Sequence, residues 1–293
     1  MSGPILRSWL FVPANHSRRV EKALGLEADA VILDLEDAVA ASEKGTARQM
    51  AREALSLPRH PRLYIRVNGL DTGLALDDLE AVVRPGLDGV MIPKVESARD
   101  VHIAAWLLGQ LQGRHGLEEG TVELVALVET ARGVERAGEV AAALPAPGRI
   151  AFGAIDYSLD LGVSHAGAAE ALGHARARLA VTCRAAGLEP PVDTVYPDIR
   201  DGEGLEREAR EARALGFGGK LVIHPDQIAP VNRVFSPSPE EVAWARRVVE
   251  AFTAAEEAGC SSIQVEGKFI DYPVAARARR VLALARAAGA REE

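Results

Sequence analysis

Short β-branched apolar runs alternate along the chain with longer segments rich in Ala, Leu, Arg and Glu. The runs are ILRSWLFVP (5–13), AVILDLED (30–37), RLYIRVN (62–68), GVMIPKV (89–95), VELVALVET (122–130), RIAFGAID (149–156), PVDTVYP (191–197) and GKLVIHP (219–225). Their apolar positions are near-continuous rather than alternating, as in parallel strands covered on both faces. Between them the apolar spacing suits helices, for example over 42–55, 131–144 and 166–186. Strand–helix units repeated in this way predict a parallel sheet. Eight of them in about 230 residues predict a closed (β/α)8 barrel, an α/β fold. An open doubly wound sheet would place a glycine-rich phosphate turn after the first strand, where this chain has VPANHS.

Beyond Pro225 the pattern changes. A short helix is predicted over 226–235. In the turn cluster SPSPEE that follows, Ser238 with Glu241 three residues on reads as a capping box. A helix over 242–258, a hairpin or loop in SSIQVEGKFID and a helix over 273–288 complete the chain. The expected organisation is a barrel domain over 1–235 and a C-terminal appendage over 236–293, which is too small for an independent core.

Composition narrows the functional classes. Of 293 residues 48% are hydrophobic and 26% charged, enough apolar material for a large core and too much for a disordered chain. The net charge of −8 lacks the basic field of a nucleic-acid binder, although a local basic site for a small anion remains compatible with it. Two cysteines, Cys183 and Cys260, exclude a disulfide framework and a Cys-rich zinc site. The first apolar run is short and broken by Arg7, and no segment reaches ~18 uncharged apolar residues. The expectation is a soluble, cytoplasmic protein without a membrane partner.

Barrel chemistry is built at the C-terminal ends of the strands, so those ends are the candidate site. In chain order they carry Asn15; Asp34, Glu36 and Asp37; Arg66 and Asn68; Lys94 and Glu96; Glu129; Asp156; Asp198; and His224 with Asp226. Buried charges without a task are costly, which favours a functional reading of the set. Glu129 and Asp156, at neighbouring strand ends, suit a hard cation such as Mg²⁺, with helix capping as the bland reading. Arg66 has the planar fork that receives a substrate carboxylate, or else forms a structural ion pair with Glu36 or Asp37. Lys94 either forms a Schiff base, as in a metal-independent aldolase, or balances the acidic cluster. Asn15, His16, Ser17, Arg18, Arg19 and Lys22 make a basic start to the first helix, suited to phosphate or to solvent. His224 reads as a core histidine or a site residue.

The segments RSWLFVPANHSRRVEKAL, VILDLEDAV, YIRVNG, MIPKVES, LVET, FGAIDYSLDLG, VIHPDQI and GKFIDYPV resemble the citrate lyase β-subunit-like branch of the HpcH/HpaI aldolase family, in order and across nearly the whole chain. The resemblance implies a TIM barrel, Mg²⁺ and an acyl-thioester substrate. It implies Glu129 and Asp156 as metal ligands, Glu129 also lying against substrate. Arg66 is implied as the holder of the oxo-acid carboxylate, and Glu36 and Asp37 as the acidic pair near metal-bound water. Asp271, in GKFIDYPV, matches the acid or base of a C-terminal lid, with N-capping of the last helix as its bland reading. The basic start of the first predicted helix, with His224, is the expected CoA-binding side: Asn15, Arg18, Lys22 and His224. In relatives the lid often completes a neighbour's site, which implies a homo-oligomer, a trimer or hexamer.

The expected activity is cleavage of a 3-hydroxy acyl thioester, such as citryl-, malyl- or citramalyl-CoA or a carrier-protein thioester. The products are a 2-oxo acid such as oxaloacetate and an acyl thioester. The alternatives are a Schiff-base aldolase using Lys94 and a non-catalytic carrier-protein-binding subunit. The latter would be marked by loss of a metal carboxylate, and both candidates are present.

Overall fold

The computed structural model describes residues 5–164 and 169–288. The elements in chain order are β1 (Ser8–Pro13), α1 (Ser17–Leu24), β2 (Ala30–Asp34), α2 (Lys44–Ala54), β3 (Arg62–Arg66), α3 (Ala75–Val82), β4 (Gly89–Ile92) and α4 (Ala98–Arg114). They continue with β5 (Glu123–Val128), α5 (Ala131–Glu135), α6 (Ala137–Ala143), β6 (Gly148–Phe152), α7 (Ala154–Asp160), α8 (Ala169–Ala185), β7 (Val192–Asp193), α9 (Gly202–Leu215), β8 (Gly219–Val222) and α10 (Ile228–Phe235). The eight strands are parallel, pair in sequence order and close through β1 against β8. This is the expected (β/α)8 barrel. The start of the helix predicted from 166 lies outside the described residues, and α8 is described from Ala169.

The observed strands are shorter than the apolar runs, and each early end has a local cause. Asp34 closes β2 because its carboxylate accepts the N–H groups of Glu36 (2.9 Å) and Ala38 (3.1 Å), which turns the chain out of the ladder. Pro93, which has no N–H to donate, and Lys94, at φ 53°, end β4. Gly153 starts α7, so Asp156 stands in the first turn of a helix rather than at a strand tip. His224 accepts the N–H of Asp226 and opens a 3₁₀ turn at Pro225.

Inward-facing residues fill the barrel in layers. At its N-terminal end the tilted rings of Trp9 and Tyr64 pack with centroids 4.5 Å apart, Tyr64 donates to Glu123 (2.5 Å), and Arg149 pairs with Glu123 (3.0 Å). Ile32, Met91, Val125, Leu127, Ala151 and Leu221 form the apolar middle. Because side chains alternate along a strand, Asp34, Arg66 and Glu129 follow on the same inward face at the C-terminal mouth. Between β7, β8 and the outer helices, fully buried Lys220 pairs with Asp193 (2.7 Å), which Arg176 also contacts (2.7 Å). Lys220 and Arg176 hold the buried carboxyl of Asp193 below the usual range, against the desolvation that would raise it.

A second compact unit comprises Ile5 and the described residues from Arg233 on, the barrel unit being Leu6–Asn232. It contains α11 (Pro239–Glu257), the antiparallel hairpin β9 (Ile263–Val265) and β10 (Lys268–Ile270), and α12 (Tyr272–Ala287). The Ser238–Glu241 capping box is present and sets the start of α11 earlier than the apolar pattern suggests. Val248, Phe252, Ile270 and Ala275 form its core. No helix among the described residues is long and apolar enough to cross a membrane.

Candidate active site at the barrel mouth

Parallel pairing sets Asp34 of β2 beside Arg66 of β3, in register and on the same face. The two side chains meet edge to edge, with Nε to Oδ1 at 2.8 Å and Nη2 to Oδ2 at 2.6 Å. Arg66 Nη1 also lies 2.9 Å from Glu36 Oε2, and the Phe11 ring lies under the guanidinium with its centroid 4.8 Å away. The loop after β2 is fixed by Lys44, whose ammonium donates to the carbonyls of Leu35 and Glu36, both at 2.6 Å.

Lys94 joins two carboxylates. Its Nζ donates to Glu36 Oε1 (2.6 Å), and its backbone N–H donates to Glu129 Oε1 (2.9 Å). That second bond is made from a left-handed backbone, which a lysine adopts rarely. Burial alone would lower the Lys94 pKa, but its hydrogen bond to Glu36 and the surrounding carboxylates hold it above the usual lysine value. A Schiff-base lysine needs a depressed pKa, so this environment opposes the aldolase alternative and matches the charge-balancing reading. Glu96 instead faces Arg132 at 3.2 Å.

Glu129 is 2% exposed. Burial, reinforced by the charge of Asp156, pushes its carboxyl up to about 8 despite Arg66. Burial likewise raises Glu36, against Arg66 and Lys94. Glu129 Oε2 occupies the space a side chain at position 153 would need, since a Cβ there would fall 2.6 Å from the Cβ of Glu129. The first N–H of α7, at Ala154, is held by Thr194 Oγ (2.9 Å), which fixes the helix that carries Asp156.

Mg²⁺ can be tested against this donor set. Among the described residues no three His, Cys, Asp or Glu groups converge as ligands. Mg²⁺ needs no such cage: one or two carboxylates suffice, with water and substrate oxygens completing an octahedron. Glu129 and Asp156 supply two hard oxygens close enough for their charges to couple, and Glu36 Oε2 is a buried acceptor with no hydrogen bond. The residues fit the ion.

The remaining expected positions are more dispersed. Asp37 is exposed and 3.8 Å from Lys94. Asn15 donates to Glu43 (2.7 Å), while its Oδ1 is buried without a partner. Arg18 and Lys22 are exposed on α1. His224 is used as a turn cap. Asp271 accepts the N–H of Val274 (3.2 Å) as the N-cap of α12, between exposed Phe269 and Tyr272. Beside Lys94 a cleft of about 800 Å³ opens over the ends of β4 and β5, lined in part by Arg99, Arg132 and Arg136. Sequence reasoning placed Asp34 at a strand end and gave it no task, and it passed over Lys44, Gly153 and Thr194. The missing signal for Asp34 was register: it stands two residues after inward Ile32, directly beside Arg66.

Known proteins resemble the chain along almost its whole length. HpcH/HpaI aldolase/citrate lyase matches residues 7–225, and the C–C bond lyase family of the TIM-barrel fold matches 174–290. Citrate lyase subunit beta of Escherichia coli (strain K12) is 40% identical over 289 residues, covering 98% of this chain and 95% of that protein. The (3S)-malyl-CoA thioesterase of Cereibacter sphaeroides (strain KD131) is 38% identical over 286 residues, covering 97% and 96%. The crystal structure of the CitE protein of Mycobacterium tuberculosis, in complex with magnesium, acetoacetate and coenzyme A, superposes with a TM-score of 0.76 at 38% identity over 98% of each chain. A barrel mouth with paired carboxylates and a clamped arginine, and similarity along almost the full length, lead to one assignment: the chain belongs to the HpcH/HpaI aldolase/citrate lyase family.

Proposed function

We propose that the chain is a Mg²⁺-dependent carbon–carbon lyase that splits a 3-hydroxy acyl thioester into a 2-oxo acid and an acyl thioester. The observation that carries this reading is the convergence of Glu129, Asp156, Glu36 and Arg66 at one mouth, with Glu129 held near neutrality. Glu129 and Asp156 would hold the ion, which when bound supplies Lewis-acid stabilisation of the oxygen that gains charge. Arg66 receives the carboxylate of the forming oxo acid. Glu36 Oε2, which makes no hydrogen bond and whose carboxyl is raised by burial, accepts the hydroxyl proton as the C2–C3 bond breaks. Lys94 keeps that carboxylate in place, with Asp37 beside Lys94. Asp271, on a lid formed by 236–293, returns a proton to the thioester enolate carbon. Arg18 and Lys22, with Asn15 and His224 alongside, receive the phosphates of CoA or of a carrier-protein arm. In this reading the protein is cytoplasmic and a homo-oligomer whose lid serves a neighbouring copy.

Calorimetry and turnover together test the assignment. Glu129→Ala and Asp156→Ala each lose a hard ligand, and Mg²⁺ affinity falls sharply. Asp271→Asn keeps Mg²⁺ and oxo-acid binding while turnover drops by about 10²–10⁴-fold. Co-assembled Asp271→Asn and Glu129→Ala chains recover activity if lid and barrel are shared. Wild-type Mg²⁺ affinity in both carboxylate variants would remove them from the metal site, and full turnover in Asp271→Asn would remove the lid.

A further inference from the structure

The guanidinium of Arg66 has two edges that can take a carboxylate through paired hydrogen bonds: Nε with Nη2, and Nη1 with Nη2. Asp34 occupies the first edge completely, with both bonds short and its own side chain 2% exposed. Asp34 is itself held by the N–H groups of Glu36 and Ala38, and Phe11 covers one face of the guanidinium. The second edge is in a different state. Glu36 Oε2 lies 2.9 Å from Nη1 but makes no hydrogen bond, so one N–H on each of Nη1 and Nη2 remains for another acceptor.

We infer that Asp34 is the positioning residue for the substrate carboxylate. By filling the Nε–Nη2 edge, it turns the Nη1–Nη2 edge of Arg66 into the mouth and leaves that edge for the 2-oxo acid, which replaces the misdirected contact with Glu36. The inference rests on the proposed role of Arg66 and adds to it which edge binds and what fixes it. It also explains why a lysine could not substitute there: one ammonium cannot serve Asp34 and a substrate carboxylate with two fixed pairs.

The test is a double-mutant cycle on the full chain with Mg²⁺ present, using pyruvate as the 2-oxo acid and calorimetric affinity as the readout. R66K is expected to weaken pyruvate binding strongly. D34N should weaken it by about 10- to 100-fold when Arg66 is present, the scale of lost hydrogen bonds to a charged group. In the R66K background the same D34N change should cost less than about 3-fold, because there is no fork left to orient. Mg²⁺ affinity without pyruvate should hold in every variant. Equal D34N losses in both backgrounds, or a D34N affinity equal to wild type, would overturn the role of Asp34. Wild-type affinity in R66K would instead sink the reading of Arg66 itself. Should D34N fail to fold, D34E keeps the charge and shifts the guanidinium by one methylene. It should retain Mg²⁺ binding and lose pyruvate affinity, and unchanged pyruvate affinity there would equally overturn the inference.

Discussion

Ionisation of Glu129 is opposed by its surroundings. In the metal-free protein its carboxyl is raised from near 4.5 to about 8 by burial and by Asp156. A carboxyl raised on folding adds stability while protonated and loses that contribution as pH climbs through the folded pKa. Metal-free protein is therefore expected to become less stable between about pH 5 and pH 8, and Mg²⁺ should reverse that trend. Below pH 8 the ion must displace a proton, so Mg²⁺ affinity should rise with pH and level off above it. Calorimetry in two buffers of different ionisation enthalpy measures the released proton, and Glu129→Gln should abolish the release. Mg²⁺ affinity that is flat from pH 6 to pH 9 would contradict this account of Glu129. The individual charges of the mouth were legible in the sequence because strand ends name them. Their pairing was not: Arg66 was weighed against Glu36 and Asp37, whereas its bidentate partner is Asp34, a choice fixed by strand register.

At the scale of elements, the eight apolar runs marked every barrel strand but overstated their lengths, because polar residues that end a ladder look like part of the run. Asp34 ends β2 through its own side chain, and Gly153 ends β6 by starting α7. The helix predicted over 131–144 is two helices broken at Arg136. Gly153 also shows why a small residue is required at the top of β6. A Cβ there would overlap the carboxylate of Glu129 and fall 2.6 Å from its Cβ, so one of the two must move. Gly153→Ala is expected to displace Glu129, weaken Mg²⁺ binding by about 10-fold or more, and cost about 1–3 kcal/mol of stability from overpacking. Mg²⁺ titration and thermal unfolding of this variant check both effects. Unchanged Mg²⁺ affinity would mean that Glu129 does not sit in the position described.

Across the molecule, the barrel separates stability from chemistry. Its N-terminal end is sealed by Trp9, Tyr64, Glu123 and Arg149, a charge set whose members satisfy one another. At the opposite end the charges are less completely matched: Glu36 Oε2 lies 2.9 Å from Arg66 without a hydrogen bond, and burial beside Asp156 raises the carboxyl of Glu129. The closed barrel was legible because eight repeated units leave few other ways to cover both faces of a parallel sheet. The pairing of Glu123 with Arg149 was not legible, because it depends on which residues of neighbouring strands face inward at the same level. Cleavage of a thioester in the presence of Mg²⁺ tests the central claim most directly. Citryl-, malyl- and citramalyl-CoA are incubated with the full chain and Mg²⁺, or with EDTA, and the products are identified by mass spectrometry. The account predicts a 2-oxo acid and an acyl-CoA from at least one substrate, lost with EDTA and restored by Mg²⁺. Cleavage that persists in EDTA, with borohydride trapping a substrate adduct on Lys94, would contradict it.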